Sequence, residues 1–207
     1  MKIHDISMEI FEGMTVYPGD PGPKIESKLH IPEHKVNVSM LSLGTHAGTH
    51  IDAPRHFIQD GNTIDKLKME HFVGKCKVFD LSNKDIKIEK KDLEGLDINE
   101  GDIVLFKTKN SFDEMKEFNE KFIYFDGDCA EFFVEKGVKT VGVDYISISD
   151  TLENPIHKEL LSNNIVIIES LRLKDIKDGE YFFICLPLKL KDCDGSPARA
   201  VLVEGLD

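Results

Sequence analysis

The stretch Asp126-Gly-Asp-Cys-Ala-Glu-Phe-Phe-Val-Glu-Lys-Gly-Val-Lys-Thr-Val-Gly-Val-Asp-Tyr-Ile-Ser147, read as DGDCAEFFVEKGVKTVGVDYIS, decides the fold class. Asp128 followed by Glu131 has the spacing of a capping box, and Gly137 supplies a stop. A helix over 128–136 is therefore predicted. The apolar, β-branched run from Val138 follows at once and reads as a strand. Upstream, GDIVLFKT (101–108) is another strand opened by a turn. Strand, helix, strand at this spacing implies a βαβ unit with a parallel pair, the crossover also holding the unpatterned segment 110–125.

Working outward, apolar runs recur at KIHDISMEIF (2–11), VNVSMLSL (36–43), CKVFDLS (76–82), NIVIIESL (164–171), EYFFICLPLKL (180–190) and, after a turn at DGSP, ARAVLVE (198–204). The segment 12–23 holds three prolines and reads as a loop, and 60–75 as a loop with at most a short helix. Residues 84–102, KDIKIEKKDLEGLDINEGD, are so charged that a solvated surface excursion is expected. With no repeat, low-complexity tract or linker, residues 1–207 read as one α/β domain with its own core.

Composition removes several functions. Thirty-eight acidic against 26 basic residues leave a net charge of −12, the wrong sign for a phosphate backbone. Nucleic acid is excluded as a partner. No apolar run approaches the roughly 20 residues of a membrane helix and no signal peptide is visible, so a cytoplasmic chain is expected. The four cysteines form no CxxC pair and are read as reduced, inert thiols.

Chemistry concentrates in LGTHAGTHIDAPRH (43–56). His46, His50, Asp52 and His56 all stand at even positions, so an extended chain starts them on one face, while Pro54 and the six-residue offset of Asp52 argue against a helix. Imidazoles and a carboxylate suit a divalent metal such as zinc, which leaves a position open for water in catalytic sites. Glu169 ends an apolar run, where a carboxylate is costly unless paired or bound to a cation. His157 lies in the loop-like NPIHKEL, where a surface histidine beginning a short helix is the alternative. His4, His30, His34 and His71 lie outside the constellation and read as structural or exposed. DGSP reads as a turn.

The run HAGTHIDAPRH, preceded by VSMLSLGT, resembles the HxGTHxDxPxH motif of the metal-dependent cyclase-like amidohydrolases, the family that includes bacterial kynurenine formamidases. ISMEIFEGMTVYPGDP (6–21), VKTVGVDYISISD (138–150), the His157 segment, IIESL and LPLKLKDCDGSPARAVL follow in family order. The resemblance implies a swivelling β/β/α fold with a mixed sheet and a homodimer or higher oligomer. It implies His46, His50 and Asp52 as ligands of a first metal, zinc or manganese, and Asp52, His157 and Glu169 around a second. It implies His56 as the catalytic histidine and Tyr17 as a substrate contact, where the formamidases carry Trp. The implied reaction is hydrolysis of a small-molecule amide, N-formyl-L-kynurenine first, with a cyclic, isatin-like amide as the alternative. A closed, catalytically silent metal-binding protein is the reading from another class.

Overall fold

The computed structural model describes residues 1–206. Its strands are β1 (Lys2–Asp5), β2 (Lys24–Leu29), β3 (Val38–Ser42), β4 (His50–Asp52), β5 (Val73–Asp80), β6 (Lys87–Ile88), β7 (Ile103–Lys107), β8 (Tyr124–Phe125), β9 (Thr140–Val143), β10 (Val166–Glu169), β11 (Gly179–Pro187) and β12 (Gly195–Glu204). Three helices, α1 (Lys90–Leu93), α2 (Asp128–Lys136) and α3 (Ile156–Ser162), join them.

The main sheet runs β1-β12-β11-β5-β7-β9-β10-β4, and β4 pairs back onto the start of β12, so seven strands close into a barrel with β1 appended. β5, β7, β9 and β10 are mutually parallel and the other contacts antiparallel. This is the mixed sheet expected. The predicted βαβ unit is present as β7, α2 and β9, although Asp128 occupies the first helical turn and Gly127 the cap, without a capping side chain. β2 and β3 form a separate hairpin, and β6 with β8 a short parallel pair.

Alternation along the parallel strands explains why they are apolar throughout. Ile103 and Leu105 of β7, with Val166 and Ile168 of β10, face one core shared with Ile51, Phe183 and Leu202. Val104, Phe106 and Ile167 face a second core under the helices, with Phe133 of α2 and Leu160 of α3. Both faces are covered, so a polar residue is accommodated there only with a partner, as Glu169 is. Each such side chain contributes about 1.5–3 kcal/mol through burial.

The charged excursion 84–102 is not simply a solvated face. Ile88, Leu93 and Ile98 are buried in the helix-side core. A reciprocal capping box between Glu89 and Asp92 starts α1. The charges flank an anchor of three apolar residues, and the charge density hid it.

Candidate metal centre and active site

The site grows from the pairing of β4 with β10. That antiparallel register sets His50 opposite Glu169 and Asp52 opposite Ile167, and cross-strand partners share a face. Ile51 points into the barrel core while His50, Asp52 and Glu169 point together toward α3. The alternation expected of His50 and Asp52 is therefore present.

His46 and His56 reach the same place by other means. Gly48 adopts φ +67° in the turn before β4, a conformation that costs a side-chain-bearing residue heavily, and a Cβ there would lie 2.8 Å from Ile10 Cγ1. That turn folds His46 back so that its Nδ1 lies 2.8 Å from Asp52 Oδ1. Pro54 opens a short 3-10 turn, Pro54–His56, that delivers His56 to the other side of His46, ring centroids 3.9 Å apart. His157, on the first turn of α3, places Nε2 3.1 Å from Glu169 Oε1 and 3.8 Å from Asp52 Oδ2, and its ring stacks on Phe57 at 4.6 Å.

Hydrogen bonds orient the imidazoles. His50 Nδ1 donates to the Gly48 carbonyl at 2.8 Å, which leaves Nε2 facing Asp52 Oδ1 at 3.4 Å and Glu169 Oε2 at 3.3 Å. The Ser149 hydroxyl donates to the Thr151 carbonyl and so accepts from His157 Nδ1 at 2.9 Å, which leaves His157 Nε2 facing Glu169. Both Nε2 atoms thus aim at carboxylates, an arrangement that repels when the imidazoles are neutral unless a proton or a metal cation lies between them. Asp52 Oδ2, fully buried, has no hydrogen-bond partner. Orienting the ligand nitrogen through the other ring nitrogen is how metal-binding histidines are normally held. These residues fit a divalent metal.

Atoms able to ligate a metal gather in two overlapping groups: His46, Asp52 and His56, and His50, Asp52 and Glu169. Asp52 belongs to both. Compared with the sequence reading, His56 rather than His50 falls in the group with His46, and His50 joins Asp52 and Glu169, with His157 beside that group at 3.1 Å from Glu169. A third group, His30, Glu33 and His34, lies exposed at the end of the β2–β3 hairpin. His4 pairs with Glu204 and His71 donates to the Lys139 carbonyl, each away from the site.

Charge follows from these contacts. Burial alone would lower the His46 pKa, but Asp194 and Asp52 outweigh it and push it up to about 10. Burial is likewise overcome at His50, raised to about 9 by Asp52 and Glu169. Burial raises Asp52, yet His46 and His50 pull it well below the usual carboxylate range. Burial and Asp52 raise Glu169, and His157 and His50 bring it below its ordinary value. His56 differs: burial dominates the pull of Asp52 and lowers its pKa, leaving a neutral imidazole at pH 7.

Asp194 went unrecognised in the sequence because DGSP has turn chemistry. Its Oδ2 lies 2.8 Å from His46 Nε2 and 3.7 Å from His56 Nδ1. Nothing in a single chain placed residue 194 near residue 46, because the two meet only through the pairing of β12 with β4.

A cavity of about 350 Å³ opens over the four histidines, walled by Tyr17, Phe57, Ile146, Ser147, Ser149 and Leu152 among others. Tyr17 is half-buried and packs edge-on against Phe118 at 5.5 Å. His56 keeps 31% of its side chain exposed, so a small molecule can reach it. A larger open groove of about 640 Å³ along Asp5, Met8, Leu186 and Arg199 contains none of these histidines, so the chemistry belongs to the smaller cavity.

Comparison with known proteins agrees with this geometry. Residues 4–150 match the family model described as putative cyclase. A kynurenine formamidase of Bacillus cereus is 37% identical over 201 residues, spanning 96% of this chain and 95% of the relative. Among solved structures, a predicted metal-dependent hydrolase from Bacillus stearothermophilus is 41% identical with a TM-score of 0.86, covering 97% of each chain. Isatin hydrolase A from Ralstonia solanacearum is 26% identical with a TM-score of 0.84, over 98% of this chain and 92% of that one. The histidine motif, the barrel that carries it and these full-length likenesses lead to one assignment: this chain belongs to the putative cyclase family.

Proposed function

We propose that the protein is a metal-dependent amidohydrolase that releases formate from an arylformamide, with N-formyl-L-kynurenine as the first substrate. The observation that carries this reading is the buried, unpartnered Asp52 Oδ2 set among imidazoles whose free nitrogens face carboxylates. His46, His50 and Asp52 would hold a first divalent ion, zinc before manganese, and Asp52, His157 and Glu169 a second. Bound there, a divalent ion supplies Lewis acidity at the carbonyl and brings the pKa of water from 15.7 toward about 7.

The chain's own residues do the rest. His56, neutral at pH 7 and open to the cavity, takes a proton from the attacking water and passes it to the departing arylamine nitrogen as the C–N bond breaks. Glu169 is held by the Ile148 amide at 2.7 Å, so it keeps its place while protons move around it. Tyr17, Phe57 and Ile146 offer flat apolar surface to an aryl ring. The open cavity beside His56 argues against a closed, silent metal site.

Hydrolysis of a cyclic, isatin-like amide is the second reading, favoured by the 26% identity with an isatin hydrolase. Steady-state kinetics on both substrate types decides between them. The proposal expects kcat/KM for N-formylkynurenine above roughly 10⁴ M⁻¹s⁻¹ and above that for isatin. The reverse order assigns the cyclic amide.

We further infer a cytoplasmic homodimer. The free thiols of Cys76, Cys129, Cys185 and Cys193 fit a reducing compartment. Ile25, Val38, Met40 and Leu41 of the β2–β3 hairpin leave apolar surface exposed, as a subunit interface would. Sedimentation at the monomer mass would remove the dimer.

A further inference from the structure

Asp194 is the one charged group at the centre for which neither the motif nor the cavity lining accounts. It stands just before β12, whose first residues pair with β4, so Gly195 lies opposite Asp52. Two features show that this corner is built around His46. The Asp194 carbonyl accepts from the Ala53 amide at 2.9 Å, which ties the backbone of residue 194 to the end of the histidine motif. Gly195 has no room for a side chain: a Cβ there would lie 2.8 Å from His46 Cε1 and 2.8 Å from the Ile51 carbonyl oxygen. The carboxylate is steadied by the Thr45 hydroxyl, 3.3 Å from both oxygens.

From this arrangement we propose that Asp194 is a positioning residue that selects which nitrogen of His46 faces the metal centre. By accepting from Nε2–H at 2.8 Å, Asp194 leaves Nδ1, the nitrogen directed at Asp52 Oδ1, as the one that gives up its proton when a metal binds. His50 and His157 are set the opposite way: each gives its Nδ1–H to the protein and keeps Nε2 for the centre. His46 alone needs an outside acceptor at Nε2, and Asp194 is that acceptor. His56 lies against this ring, centroids 3.9 Å apart, and its Nδ1 is 3.7 Å from the same Asp194 oxygen.

This inference deepens the metal-hydrolase reading but is tested without substrate. The probe is Zn²⁺ alone, with affinity measured by competition against a chromophoric chelator and the His46 ring nitrogens followed by ¹⁵N NMR in the zinc-loaded protein. The wild type should show one His46 tautomer, with an exchange-protected Nε2–H. Asp194→Ala should weaken zinc binding about 10–100-fold and lose that protected proton. Its kcat should fall while KM stays within about threefold. Asp194→Asn keeps the turn chemistry and a weaker acceptor, so it should fold, bind zinc less tightly than wild type and shift the Nε2–H signal. If Asp194→Ala is misfolded, the Asn variant decides. Zinc affinity within threefold of wild type together with an unchanged His46 signal, in whichever variant folds, overturns the proposal. Absence of arylformamide turnover in the wild type would overturn the substrate assignment and leave this result standing.

Discussion

Replacing Gly195 by alanine adds a single methyl group at the tightest point beside the metal centre. The new Cβ would sit 2.8 Å from both His46 Cε1 and the Ile51 carbonyl oxygen, where ordinary contact begins at 3.4 Å. The Ile51 oxygen belongs to β4, which is hydrogen-bonded on both sides, to β10 and β12, so that clash falls on the backbone at residue 195 while the imidazole is the side chain able to yield. It must recede by about 0.6 Å, which stretches its contacts to Asp52 and Asp194, both 2.8 Å, beyond the usual hydrogen-bond range. Overpacking of this kind costs about 1–3 kcal/mol, or roughly 2–4 °C in Tm for each kcal/mol in a chain this long. The functional cost is larger, since a displacement approaching 1 Å at a reacting centre can cost about 10²-fold. Gly195→Ala should therefore lower kcat/KM about 10–100-fold and weaken zinc binding, with only a modest drop in Tm. Melting, zinc content and steady-state kinetics on one preparation check this. Full zinc content with unchanged kcat/KM would refute the claim that His46 is held tightly from both sides.

Two further outcomes follow from the same geometry. His56→Ala should reduce kcat roughly 10²–10⁴-fold while leaving most of the zinc bound, and loss of zinc would instead make His56 a ligand, which its place in a group with His46 and Asp52 allows. In the chelator-treated protein, His46 and His50 have pKa values raised to about 10 and about 9 from an ordinary 6.5. Their imidazolium forms thus stabilise the fold fully below about pH 6.5, and that stability is lost as pH rises through 9–10. Tm of the metal-free chain should fall from pH 7 to pH 10, and a flat profile would contradict the ion pairs described.

How far the sequence carried this account depended on the range of each contact. His50 and Asp52 were legible because strand alternation is local, and Glu169 because a carboxylate ending an apolar run needs a partner. Which partner it meets depends on the β4–β10 register, a pairing across more than a hundred residues. His46 and His56 converge through the Gly48 turn and the 3-10 turn at Pro54, not by alternation, so the even spacing pointed to side chains that do come together, but for a partly wrong reason. Asp194 suited a turn and occupies one, and its second role exists only because β12 closes the barrel against β4. The parallel strands were legible as buried, whereas residues 84–102 misled because three anchoring side chains were outnumbered by charges.

The central claim, that a divalent metal at the Asp52 cluster makes this chain an arylformamide hydrolase, is tested most directly by following formate release from N-formylkynurenine before chelation, after chelation and after zinc is restored. The account predicts kcat/KM above roughly 10⁴ M⁻¹s⁻¹ for the loaded protein, loss of nearly all activity on chelation and recovery with about one or two zinc ions per chain. Turnover that survives complete removal of metal would contradict it.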